Sequence, residues 1–306
     1  ENYCCMDSVD DTAAQLAKGV SYDEEIQSDS CSFLVVIIDL HSNGWLSKSQ
    51  ISLWKVLESL TVFLNAHLAL NSSNELAVLG FNGLGARVLY STTTAGKNAD
   101  ANDIANGIHL KGTMIRQFKK FDESVLSSIK AQIAEAKAKN VNGSTSVSGP
   151  LSLALSHLNR RIREKSSMRG HILIVSASGD DMGSKYIATM NTIFTAQKLG
   201  VPLDVANFGP PKSFLQQAAE FTQGSYLEFS EKDAEGLVHY FCSTFLVEPA
   251  VRKYVNMATK SNVDFSAVCF ITKKILEIGY VCSVCLCIMQ EIPEDNKCAV
   301  CHSQYE

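Results

Sequence analysis

Six apolar residues in a row, Phe33-Leu-Val-Val-Ile-Ile38, run straight into Asp39. The run has no period, so both faces of whatever it forms must be covered. It is too short for a helix of its own, and its β-branched residues favour an extended chain. It reads as a strand in the middle of a parallel sheet. A carboxylate at the C-terminal end of such a strand stands where open α/β sheets place ligands.

The flanking sequence fits helices and strands wound around that strand. Ser47-Lys-Ser-Gln50 has the form of a capping box and predicts a helix start. Ile51, Trp54, Leu57, Leu60, Leu64 and Leu68 then recur at helical spacing. Strands are predicted at Leu76–Phe81 and Arg87–Tyr90, and the short link Asn82-Gly-Leu-Gly85 makes them an antiparallel hairpin. Residues 91–112 read as a long surface loop. Helices are predicted at Asp122–Lys139 and from Gly149-Pro150, with Pro150 at the first helical position. Strand Ile172–Ser176, helix Ser184–Leu199 and strand Leu203–Asn207 follow. A second capping box, Ser213-Phe-Leu-Gln216, opens a helix that ends at Gly224. Strand Tyr226–Phe229 and a helix at Asp233–Leu246 complete the series. This alternation predicts an α/β fold, a doubly wound, mostly parallel sheet with helices on both faces. The expected organisation is a flexible polar lead at 1–30, the sheet domain at 31–248, a linker at 249–268 and a cysteine-rich module at 269–306.

Composition excludes several classes. No apolar run reaches the ~18 residues of a membrane span. Residues 1–30 are polar and mildly acidic and lack a secretory pattern. A net charge of −5 gives no global attraction to nucleic acid. Gly83-Leu-Gly85 lacks the third glycine of a dinucleotide loop and precedes a strand. Ser176-Ala-Ser-Gly179 lacks the first glycine of a nucleophile elbow. Asp180 and Asp181 are expected to be solvated. Arg160, Arg161, Arg163 and Lys165 are expected to complement a helix C-terminus and face water. His67, His157 and His239 fall within helices, as packing or surface residues.

The cysteines point to chemistry. Of ten, Cys4, Cys5, Cys31, Cys242 and Cys269 are scattered, and five crowd the chain end. Cys282-Ser-Val-Cys285 is followed, after twelve residues, by Cys298-Ala-Val-Cys301. Each C-x2-C pair sets two sulfurs on one tight turn, and two pairs supply four thiolates for a tetrahedral zinc. Four thiolates leave no open position, so the ion is expected to be structural, one per chain. Pro293-Glu-Asp-Asn296 is the turn that brings the pairs together. Cys287 and His302 are the alternative ligands, expected to be bystanders. From Tyr280 onward, Glu291, Glu294, Asp295 and Glu306 outnumber Lys297, which suits a DNA-phosphate grip poorly.

The sheet half resembles a von Willebrand factor A domain, with Asp39 at the tip of the first strand. That family often holds a divalent ion through Asp-x-Ser-x-Ser, a later Thr and an Asp after the fourth strand. Here His41 and Asn43 replace the serines, with Thr145 and Asp180 as loose matches for the rest. Losing those two hydroxyl ligands departs from the family pattern, so a degenerate pocket without Mg²⁺ at Asp39 is expected. The stretch Glu277–Ile288, E-I-G-Y-V-C-S-V-C-L-C-I, with the second C-x2-C and with Ile193–Lys198, resembles the smaller von Willebrand A subunit family of transcription factor TFIIH, the thirty-four-kilodalton class. That resemblance spans about residues 32–302. It implies a nuclear, non-enzymatic subunit of the TFIIH core, serving RNA polymerase II initiation and nucleotide excision repair. It also implies binding to the larger von Willebrand A/RING subunit and other core subunits, indirect or weak DNA contact, and neither a membrane nor a small-molecule substrate. The alternatives are a Mg²⁺-dependent ligand-binding A domain working through Asp39, and a RING ubiquitin ligase. The latter needs eight ligands where this tail offers at most six.

Overall fold

The computed structural model describes residues 31–92, 118–139, 146–165, 167–178, 182–248, 251–255, 267–269, 271–272, 275–276, 278–293 and 295–304. Six strands form one sheet: β1 (Ser32–Asp39), β2 (Glu75–Asn82), β3 (Gly85–Ser91), β4 (Arg169–Ser176), β5 (Leu203–Asn207) and β6 (Tyr226–Glu228). Their order is β3-β2-β1-β4-β5-β6, with β3 antiparallel and the rest parallel. β1 sits between β2 and β4, pairing Val36 with Val78 on one side and Leu173 on the other.

The aperiodic run does what its composition requires. Leu34, Val36 and Ile38 face one helical layer, Phe33, Val35 and Ile37 face the other, and all six are fully buried. Each such side chain contributes roughly 1.5–3 kcal/mol of apolar burial. The first layer holds α1 (Leu53–Leu70) and α2 (Lys119–Ala138). The second holds α3 (Ser148–Glu164), α4 (Met182–Lys198) and α5 (Ser213–Phe221). The architecture is von Willebrand factor A-like, as the sequence led us to expect. The hairpin is also as expected: Asn82 pairs with Gly85, whose φ of 118° lies in a region that glycine alone enters freely.

Several boundaries differ. Ser47 does not cap α1; residues Gly44–Lys48 form a π-turn, and Ser52 caps the helix by accepting from the Lys55 N–H. Ser213 lies inside α5, where Lys212 takes the cap position, and Pro150 is the third helical residue of α3. The predicted helix at Asp233–Leu246 breaks into a 3₁₀ turn at Glu231–Asp233, the short α6 (Leu237–Tyr240) and a π-turn at Phe241–Phe245. Asp233 is held back by a capping box with Ser230, while the π-turn lets Phe241, Thr244 and Phe245 all bury. Arg161 does not face water: its guanidinium bonds Glu75 at 2.5 and 2.8 Å and ties α3 to the start of β2. The predicted loop at 91–112 lies outside the described residues beyond Thr92.

Past α6 the chain is pinned back onto the sheet. Arg252 makes two 2.6 Å bonds to the fully buried carboxylate of Asp204, near the start of β5. Asp204 also accepts from the Ser225 N–H at 2.9 Å, and Arg252 Nε donates to the Val247 carbonyl at 3.1 Å. The C-terminal part carries two antiparallel pairs, β7 (Ala267–Val268) with β8 (Ile275–Leu276) and β9 (Tyr280–Val281) with β10 (Ile288–Met289).

Candidate metal centre and the Asp39 strand end

Cys282, Cys285, Cys298 and Cys301 come together, their four sulfurs all within 4.8 Å of one another. Cys282 Sγ lies 3.7 Å from Cys301 Sγ, and Cys285 Sγ lies 3.6 Å from Cys298 Sγ. A tetrahedral ion bound ~2.3 Å from each sulfur sets neighbouring sulfurs roughly 3.8 Å apart, so the spacing suits zinc.

The two pairs are built alike. Leu286 N–H donates to the Cys282 carbonyl at 2.9 Å, and Cys282 N–H to the Cys287 carbonyl at 3.0 Å. In the second pair, His302 N–H donates to the Cys298 carbonyl at 2.9 Å, and Cys298 N–H to the Ser303 carbonyl at 2.8 Å. Leu286 and His302 each adopt a φ of 58°, a left-handed corner that non-glycine residues seldom take. The corners turn the chain so that both sulfurs of each pair point inward.

Hydrogen bonds from the Ser303 hydroxyl and from the Cys285 and Val284 N–H groups pull the Cys282 thiol down to about 6, which favours the ligating thiolate. Cys287 is buried in the same small cluster but is not one of the four mutually close sulfurs. Burial pushes its thiol up to about 11. His302 is exposed at its corner.

At the end of β1, the Asp39 carboxylate is fully buried and spoken for. One oxygen accepts from the His41 N–H at 3.0 Å. The other accepts from the Ala177 N–H at 3.3 Å, the Ser178 N–H at 2.9 Å and the Ser178 hydroxyl. Asp39 therefore stitches β1 to the chain leaving β4, at the point where the strand order reverses. His41 is half-buried and Asn43 exposed, while Thr145, Asp180 and Asp181 lie outside the described residues.

Trp45 closes the same strand end. Its indole Nε1 donates to the Asp39 carbonyl at 2.6 Å and its ring lies 5.6 Å from that of Phe208. Gly44 is required here, since a Cβ would come within 2.7 Å of the Ser178 backbone. Deeper still, Lys212 donates to the Ser176 hydroxyl at 2.6 Å, with only 2% and 0% of the two residues exposed, so no substrate reaches the pair. Sequence reading missed Trp45, Ser178 and Lys212. Trp45, a bulky apolar residue six positions past a strand-end Asp, was the available signal.

Comparison with known proteins follows the same division. The family described as transcription factor Tfb4 matches residues 31–302. The chain is similar to the general transcription and DNA repair factor IIH subunit TFB4 of Yarrowia lipolytica, at 39% identity over 98% of this chain and 93% of that protein. The corresponding subunit of Schizosaccharomyces pombe is 37% identical over 95% and 94%. A crystal structure of the TFIIH p34 N-terminal domain superposes with a TM-score of 0.55 at 27% identity, covering 69% of this chain and 95% of that one. On these grounds the chain belongs to the Tfb4 family of subunits of the general transcription and DNA repair factor IIH.

Proposed function

We propose that the chain is a non-catalytic scaffold subunit of the TFIIH core, acting in the nucleus in RNA polymerase II initiation and nucleotide excision repair. It binds the larger von Willebrand A/RING subunit through its sheet domain, and Cys282, Cys285, Cys298 and Cys301 hold one structural zinc. The observation that carries this reading is that the Tfb4 match runs through both the sheet and the cysteine pairs. The closed strand end supports it. An A domain that bound ligand through Mg²⁺ needs free carboxylate oxygen at Asp39, and four protein donors already occupy that group. When bound, the zinc supplies no chemistry beyond a cross-link, because four thiolates fill its coordination. The chain's own residues supply the corners, the Ser303 hydroxyl bond and a platform for partners.

Co-expression with the larger subunit tests the reading. The expected result is a stable complex on size exclusion, with one zinc per copy of this chain by elemental analysis. A chain that purifies folded, metal-free and unable to join the larger subunit overturns it.

A further inference from the structure

We propose that a groove between the Gly44–Lys48 turn, the start of α1 and the outer side of α2 docks an amphipathic helical segment of another protein, with acidic residues along the segment's flank. The inference rests on the reading of this chain as a protein-binding subunit and assigns that role a surface. The groove has a volume of about 500 Å³ and is lined mainly by apolar side chains. Trp45 and Ile129 form its floor, while Leu46 and Trp54 stand proud of it, 84% and 51% exposed. Single exposed apolar residues are ordinary, but a contiguous set around a concavity marks an interaction site.

The charges choose the occupant. Among the described residues, the only charged side chains lining the groove are Lys130 and Lys137, and no carboxylate lines it. Among the described residues neither lysine has an ion-pair partner, and the Lys130 ammonium lies 5.6 Å from the Trp54 ring centroid. Ser52, the cap of α1, also lines the groove, and the first turn of α1 has no acidic residue to offset its positive end. On a chain of net charge −5, this is a cationic rim around an apolar slot. Such a slot fits a helix that presents apolar anchors at i, i+3, i+4 and i+7 with carboxylates beside them. A nucleic acid fits less well, because among the described residues lining the groove Trp54 is the one exposed aromatic ring and most of the rest are aliphatic. The same turn that seals Asp39, through the Trp45 indole, builds the groove floor.

The test uses the chain's own fluorescence, since its two tryptophans, Trp45 and Trp54, both line the groove. The full chain is titrated with a synthetic amphipathic helix of leucine anchors and glutamate flanks, with the same helix carrying lysine flanks, and with a thymidine oligonucleotide. The expected result is a saturable blue shift with the glutamate helix and binding of the lysine helix weaker by about tenfold or more. Lys130→Glu with Lys137→Glu should reverse that preference. Leu46→Glu, at a side chain too exposed to matter for folding, should weaken the glutamate helix by roughly tenfold. Equal binding of both helices, a preference for the oligonucleotide, or tryptophans already shielded from acrylamide by the chain's own residues overturns the inference. Any of these leaves the subunit assignment standing, because that is read from co-purification with the larger subunit.

Discussion

In the sheet, β1 alone contributes six fully buried apolar side chains, wedged between two clusters that draw on all of α1, α2, α3, α4 and α5. In the cysteine end, the buried cluster is Cys282, Cys287, Met289 and Cys298. Apart from Met289, many of its large apolar residues face outward: Ile278, Tyr280, Val281, Val284, Leu286 and Ile292 are all exposed. One region is held by area removed from water, while the other buries little beyond the four sulfurs proposed to clamp a metal. Hydrophobic burial is spread over many side chains, so one truncation removes only part of it, whereas a metal clamp is present or absent.

Removing the metal should break this comparison most sharply. Excess chelator in reducing buffer should abolish amide protection around residues 280–303, since structural zinc contributes an apparent ~10–16 kcal/mol at neutral pH. The amides of β1 and β4 should keep theirs under hydrogen exchange. Loss of protection in the sheet at the same chelator concentration would mean that the two regions share one fold.

Phe63→Ala is the converse experiment. The ring is fully buried in α1, 5.7 Å from that of Phe241, and its truncation should cost about 3–5 kcal/mol of sheet stability. Urea unfolding should report the loss, while metal content per chain stays at the wild-type value. A fall in both would again couple the regions.

A smaller effect comes from acid. Burial at the end of α1 holds the His67 imidazole down to about 4 from 6.5, despite its contact with the Glu75 carbonyl. Its ring lies 6.0 Å from that of His171, which burial also holds well below the usual range, with His67 and Arg252 as further causes. Between pH 6.5 and 4 the unfolded chain binds a proton at His67 that the folded chain refuses. Stability therefore falls as pH falls through that window, by about 3 kcal/mol in total for His67. The urea midpoint should drop accordingly, and His67→Leu should flatten the drop. Zinc release at acid pH, followed with a chromogenic dye, should not change with that substitution.

The sheet was legible because each of its strands and long helices carries its own signal. β1 has an unbroken apolar run, the hairpin has Asn82-Gly-Leu-Gly85, and α1 has a leucine stripe. The four cysteines were equally plain, because ligand spacing within a pair is local. What escaped the sequence depends on distant partners. The start of α1 was misplaced because the Trp45 indole reaches back to the Asp39 carbonyl and winds residues Gly44–Lys48 into a π-turn ahead of the true cap at Ser52. Arg161 looked solvated because nothing near it in sequence reveals Glu75, 86 residues away. Asp39 was recognised by position, but its four donors come from His41 and from residues beyond β4, which spacing cannot connect.

The grip of Arg252 on Asp204 has a mechanical side. A load on the C-terminal tail enters the body at the base of β5, through two short bonds anchored in a buried carboxylate. That is the opposite pole from Asp39 and the Trp54 groove, and the intervening strands lie along the line of pull. The tail's point of attachment and the groove thus sit at opposite ends of the same parallel strands.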